Sequence, residues 1–217
     1  MPNWVYNHLH IDGNKKDIAK IKEQLNRPFT KMGDTWDKET NEMKRVEVTY
    51  TNPIFAFWNI KAPTNLDTYF TTSDATTRDV ANNWYNWNIE NWGTKWDVGV
   101  SDVESYAETE LQDEDENSLN YRFDTAWGVP EPVLRELSIQ YPKLDFVLGY
   151  EEETGWGGEV EFKAGGITVL NKYEWNCRNC DTNGEPPQYC EKCEDQPCPN
   201  CGYTHGTTCE EHSKESK

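Results

Sequence analysis

Residues 4–11, WVYNHLHI, alternate large and polar side chains, the two-residue period of a half-buried strand. Asp12-Gly13-Asn14 turns the chain. KKDIAKIKEQLN (15–26) then sets Ile18, Ile21 and Leu25 at helical spacing, and Arg27-Pro28 ends the run. TKMGDTWDKETNEMK (30–44) is polar and predicts a loop. VEVTYT (46–51) and IFAFWNI (54–60) are rich in β-branched and aromatic residues and predict two strands separated by Asn52-Pro53. In TTRDVANNWYNWNIENWG, Val80, Trp84, Trp87 and Asn91 share a face, which predicts a helix over 76–90 with Gly93 placed to cap it.

TKWDVGVSDV (94–103) predicts a strand leaving that helix, and SLNYRFDTAW (118–127) predicts another. Gly128-Val129-Pro130 breaks the second and opens a helix over 130–141, with Val133, Leu134 and Leu137 inward. KLDFVLGYEE (143–152), GEVEFKAG (158–165) and GITVLNKYEW (166–175) predict three strands, the last two a hairpin. The order β-α-β…α-β-β-α-β-β gives an α+β fold, with helices collected on one face of a mostly antiparallel sheet. No internal repeat is present.

Cysteine usage divides the chain. All seven cysteines lie between 177 and 209. We place the boundary there: an α+β domain over 1–175 and a cysteine-rich tail over 176–217. The tail has almost no aliphatic side chains and cannot bury a core of its own. Three Cys-x-x-Cys pairs, Cys177/Cys180, Cys190/Cys193 and Cys198/Cys201, are followed by His205, Cys209 and His212. A two-residue spacer lets a tight turn aim two thiolates at one ion, the pattern of structural zinc. One or two zinc ions are therefore expected, in a ribbon- or knuckle-like module. In a sequential pairing Cys177, Cys180, Cys190 and Cys193 hold one ion and Cys198, Cys201, His205 and Cys209 the other. In an interleaved pairing Cys177/Cys180 join Cys198/Cys201, and Cys190, Cys193 and Cys209 take His205 or His212. Loop closure favours the sequential form, because shorter loops close more cheaply.

Charge narrows the function classes. The 21 Lys and Arg against 39 Asp and Glu leave a net charge of −18. Eight acids and no base lie between Asp102 and Glu116, a stretch that suits a solvated loop or the end of a long hairpin. Phosphate contacts need cations, so nucleic acid is a disfavoured partner. No run approaches the ~18 apolar residues of a membrane span. The start, MPNWVYNHLH, has neither the basic nor the apolar region of a secretory signal. With 10 Trp, 11 Tyr and 7 Phe, the chain can nonetheless fill a core with few, large side chains.

Four stretches, MPNWVYNHLHIDG, NWNIENWGTKWDV, FDTAWGVPEPVLRELSIQYPKLDFVLGYEEE and GWGGEVEFKAGG, resemble the YubB-type ferredoxin-like domain of bacteriophage, prophage and conjugative-plasmid proteins. The resemblance covers most of 1–170. It implies a ferredoxin-like sheet and a mobile-element origin, and it brings no accepted catalytic residues. The cysteine tail lies outside it.

The same motifs supply the candidate binding residues: Asn91, Trp92, Lys95, Trp96, Asp97, Asp124, Trp127, Trp156 and Glu159. As a pocket, they offer indole walls for a flat ligand, with Lys95 and the carboxylates to orient it. As architecture, the tryptophans fill the sheet–helix interface and Lys95 pairs with Asp97 or Asp124, which is the simpler reading. Asp124 with Glu159 would be an acid–base pair if they met. His8 and His10, two apart on a strand, share a face and are better taken as ordinary surface or core histidines than as metal ligands with Asn7 and Asp12. No catalytic triad, zinc-protease motif or phosphate loop occurs, and no catalytic residue is expected.

Three functions from different classes remain. The first is a non-enzymatic phage or mobile-element protein in the host bacterial cytoplasm. It would bind a host or phage protein through its acidic surface and zinc tail, in one form as counter-defence by mimicry of DNA charge. The second is nucleic-acid binding through the zinc tail and aromatic stacking. The third is an enzyme built on a Trp, Asp and Lys pocket, which requires those groups to converge.

Overall fold

Alternating burial along nine residues makes β1 (Trp4–Asp12). Val5, Asn7, Leu9 and Ile11 are buried on one face, while His8, His10 and Asp12 open to water on the other. This computed structural model describes residues 3–37, 39–66, 69, 84–101, 108–173, 176–177 and 182–183. After β1, Asn14 caps α1 (Lys15–Leu25) by accepting the Asp17 N–H at 3.1 Å, and Ile18, Ile21 and Leu25 face inward as predicted. The later elements are β2 (Phe29–Asp37), β3 (Glu42–Tyr50), α2 (Trp84–Trp92), β4 (Thr109–Glu114), β5 (Ser118–Ala126), α3 (Glu131–Gln140), β6 (Asp145–Glu152), β7 (Gly157–Lys163) and β8 (Gly166–Tyr173). Asn176–Cys177 and Thr182–Asn183 pair as a two-residue ladder.

The main sheet has the order β4-β5-β1-β6-β7-β8, and every pairing in it is antiparallel. Within it, β1-α1…β4-β5-α3-β6 forms a double βαβ with spatial order β4-β5-β1-β6. That is a ferredoxin-like α+β topology, extended on one side by β7 and β8. Its core joins Leu9 and Ile11 of β1 and Phe123 of β5 to Phe146 and Leu148 of β6 and Phe162 of β7. Ile21 of α1 and Leu134 and Leu137 of α3 close over them. The helices lie on that face, and among the described residues the opposite face of the sheet is open, with His8, His10, Asp12 and Glu159 exposed on it.

Three predicted elements differ. The polar stretch 30–44 is no loop: most of it belongs to the β2–β3 hairpin, paired from Phe29↔Tyr50 to Asp37↔Glu42. Phe29 stacks on Tyr50 at 4.4 Å, so aromatic packing outweighs the polarity of the strand tips. Residues 54–60 are no strand either. Phe55, Ala56 and Phe57 are fully buried, but they enter through Ile54 at φ 61° and close a single 3-10 turn, Phe57–Asn59. A β-branched residue at positive φ ends any extended run. Residues 94–101 form no strand, because the Asp97 side chain takes the Val98 and Gly99 N–H groups that a ladder would need. The helix expected over 76–90 appears as α2, and residues 76–83 with Val80 lie outside the described residues.

Candidate functional site

Two motif loops meet at one end of the sheet. Gly93, at φ 84°, ends α2 by donating its N–H to the Asn88 and Ile89 carbonyls. A Cβ on Gly128 would stand 2.3 Å from the Gly93 carbonyl oxygen, so the loops touch backbone to backbone. Buried polar groups lock the junction. The Lys95 N–H donates to the Ala126 carbonyl, Thr94 Oγ1 donates to the same carbonyl at 3.1 Å, and Asn88 Nδ2 donates to the Lys95 carbonyl at 2.8 Å. Above the junction the Lys95 ammonium lies between two indoles, 4.4 Å from the ring centroids of both Trp96 and Trp127. Burial pushes its pKa down. Trp127 holds this place at φ 71°, a strained backbone for a bulky residue. Trp4 of β1 approaches Trp96 at 6.1 Å and Tyr85 approaches Trp127 at 6.0 Å.

Several candidates are architectural here. Trp92 is fully buried, packs on Phe57 and Trp87, and donates its indole N–H to the Lys61 carbonyl at 2.9 Å. Asn91 donates to the Trp87 carbonyl one turn back. Asp97 does not pair with Lys95. Its buried carboxylate accepts the N–H groups of Phe57 (2.7 Å), Trp58 (3.1 Å), Val98 (2.7 Å) and Gly99 (3.3 Å), and so caps the 3-10 turn. Trp156 packs edge-on against Tyr150 at 6.1 Å.

Asp124 and Glu159 both stand on the open face, but they do not meet. β1 and β6 lie between their strands. Three steps of about 4.8 Å separate them by roughly 14 Å. Asp124 is half-buried beside Tyr6, and one carboxylate oxygen has no partner among the described residues. Desolvation raises its pKa, opposed by Arg122 and His8 and reinforced by Glu108. Lys95, Asp97, Asp124 and Glu159 thus hold separate posts rather than converging on one cleft.

The open face has its own composition. Across the strands, one row reads Glu110, Arg122, His8, Gly149, Glu159, Asn171. The next reads Asp124, Tyr6, Glu151, Gly157, Tyr173. Asp113, Asp145 and Glu161 extend it, against two cations among the described residues, Arg122 and Lys163. His8 and His10 share this face as predicted, and His10 Nδ1 lies 2.7 Å from Asn120 Oδ1; Asn7 points the other way into the core and donates to Thr125 Oγ1 at 2.9 Å. In the middle of the face a shallow depression of about 360 Å³ sits over Gly149, walled by Tyr6, His8, Glu151, Glu159, Asn171 and Tyr173. Sequence reasoning named only Glu159 of these as a binding residue. The alternation of 4–11, 143–152 and 166–175 places the others on strands, but their neighbours depend on strand order.

The acidic stretch at 108–116 is partly spent inside the fold. Lys22 and Lys15 of α1 pair with Glu114 and Glu116, and Asp115 bends the β4–β5 turn by accepting the Asn117 and Ser118 N–H groups. Those bonds hold the Asp115 carboxyl below the usual carboxylate range. Residues 102–107 lie outside the described residues.

The expected zinc ligands Cys180, Cys190, Cys193, Cys198, Cys201, His205 and Cys209 lie outside the described residues, and Cys177 is described through its backbone alone. Among the described residues no group of three or more His, Cys, Asp or Glu is placed to hold a metal. No helix there is long and apolar enough to cross a membrane.

Topology and open face define the class: a ferredoxin-like α+β protein with an enlarged, acidic sheet. Residues 107–189 match the family model described as the ferredoxin-like domain in Api92-like protein, a stretch that runs from before β4 past Cys180. The fold is similar to the crystal structure of protein api92 from Yersinia pseudotuberculosis, with a TM-score of 0.51 and 11% identity over 82% of this chain and 99% of that one. No curated protein matches the chain. At that identity the likeness is one of fold.

Proposed function

We propose that this chain is a non-enzymatic accessory protein of a bacteriophage or mobile element, acting in the host bacterial cytoplasm. It binds a basic host or phage protein through the open face of its sheet. One observation carries the reading: Glu110, Asp113, Asp124, Glu151, Glu159 and Glu161 share a solvent-facing surface with few cations. Such a surface steers a positively charged partner and repels phosphates. A protein whose groove binds DNA presents cations of that kind, so the reading includes counter-defence by charge mimicry. The YubB-type resemblance supports the mobile-element origin. The thiolate spacing supports one or two structural zinc ions in the tail, which would supply the fold that its side chains cannot.

The test is affinity capture by the full, zinc-loaded chain from infected or donor bacterial lysate, with and without nuclease, beside a Glu110→Gln, Glu159→Gln, Glu161→Gln triple variant. We expect a protein partner that survives nuclease, weakens with salt and is lost by the variant. Capture that disappears with nuclease would move the function to nucleic acid. Equal capture by the variant would remove the open face from the account.

A further inference from the structure

Gly149 lies in β6, paired with His8 on one side and Glu159 on the other. Glycine weakens a strand interior, because it offers nothing to pack and loses more entropy on folding. Nothing in the fold requires it here. Its φ is not among the positive ones, and among the described residues a Cβ built on it would meet no atom closer than the His8 carbonyl oxygen at 4.0 Å, an ordinary contact. Gly157 differs: a Cβ there would strike the Tyr150 carbonyl at 2.4 Å and the Tyr173 hydroxyl at 2.5 Å. What the missing side chain at Gly149 does is open the depression of about 360 Å³ on the acidic face.

The walls select a ligand. Glu159 is the cross-strand neighbour of Gly149, and Glu151 stands two residues along on the same face. Tyr6 and Tyr173 add two phenol rings, and Tyr173 is seated against Gly157. The ladder slips between Glu159 and Val160, inserting one extra residue in β8 and bringing Asn171 opposite Glu159 on the open face. Two carboxylates with flanking rings and a flat floor suit a planar cation with several donors. A guanidinium meets carboxylates bidentately, stacks on aromatic rings and is weakly hydrated, whereas an ammonium is a compact, strongly hydrated point charge.

We propose that the Gly149 depression is a receptor for an arginine side chain presented by the partner protein. This rests on the reading of the open face as a surface for a basic protein, and it names the anchor. The experiment uses the full chain, isotopically labelled, titrated with N-acetyl-arginine-N′-methylamide and, separately, with its lysine and citrulline counterparts. The expected result is a saturable set of amide shifts at Gly149, Glu159 and Asn171 with the arginine probe, weaker ones with lysine and none with neutral citrulline. Gly149→Val fills the depression without a clash, and its dispersed amide spectrum would certify the fold. It should weaken arginine binding at least roughly tenfold, as should Glu159→Gln, the loss expected for one charged hydrogen bond. Shifts that are as large with citrulline, or that persist in Gly149→Val, would overturn the proposal. The two readings fail separately. A captured partner that is lost by the triple variant but kept by Gly149→Val leaves the acidic face standing without this anchor. Arginine binding with no captured partner leaves the anchor standing without the proposed function.

Discussion

Asp97 and Asp124 are both aspartates in motif stretches, yet their surroundings give them opposite consequences. Asp97 is buried and accepts four backbone N–H groups from two segments, so it joins the 3-10 turn to the loop after α2. Asp97→Ala orphans those donors and should cost about 2–4 kcal/mol, read from the midpoint of urea unfolding; a change under half that would show that water replaces the carboxylate. Asp124 is half-buried with one carboxylate oxygen unpartnered among the described residues, and desolvation raises its pKa. A raised folded-state value means that the charged form opposes folding. The native state should therefore gain from protonation at Asp124 as pH falls through its folded pKa, and the gain is complete below its unfolded value, about pH 4. Asp124→Asn should then be more stable than the parent at pH 7, by at most about 1 kcal/mol because water still screens the group. That advantage should vanish by about pH 3.5, below the unfolded pKa. Thermal melts of both proteins across that range decide it, and an advantage independent of pH would sink the electrostatic explanation. Neither role is written in the residue type; Asp97's follows from the backbone amides around it, and Asp124's from burial without such partners.

Among the elements, β6 carries the clearest trade-off. A glycine in the middle of a strand, with room for a side chain, predicts that Gly149→Val stabilises the chain by about 0.5–1 kcal/mol. A melting temperature equal to or below the parent's would mean that the position is sterically tighter than it looks. The same periodicity that makes this strand legible made most of the sheet legible. β1, β5, β6 and β7 each bury one face, whereas β8 is exposed along nearly its whole length, and α1 and α3 place Ile18, Ile21, Leu25, Val133, Leu134 and Leu137 inward as their spacing requires. The misread segments obey long-range causes. Phe29 and Tyr50 zip the polar 30–44 stretch into a hairpin through a contact invisible in a local window. Residues 54–60 have strand composition, but their amides are claimed by Asp97, some forty residues away. The candidate site divides similarly. The Lys95, Trp96 and Trp127 cluster could be guessed from the tryptophan-rich motifs, whereas Tyr6, Gly149, Glu151 and Tyr173 become neighbours only once the order β1-β6-β7-β8 is known.

At the scale of the whole chain, two folding problems sit in one sequence with different solutions. The sheet domain fills its core with aromatics such as Trp92, Phe123, Phe146 and Phe162, all fully buried. The residues from 176 onward are polar and cysteine-rich, and have no such supply. If the tail is zinc-dependent, metal removal should act on it alone. Purified chain should carry two zinc ions by elemental analysis. Chelation should remove both, while the thermal transition of the β-sheet, followed by circular dichroism, keeps its midpoint. Replacing Cys177, Cys180, Cys190 and Cys193 together by Ser then separates the two ligand pairings. Sequential sites would leave Cys198, Cys201, His205 and Cys209 intact, so one zinc should remain bound. Interleaved sites would lose two thiolates each, and neither ion should stay. We expect one retained zinc, because the shorter loops of the sequential arrangement cost less to close. Complete loss would establish the interleaved ribbon, and a parent chain purified without zinc under reducing conditions would remove the metal from the account.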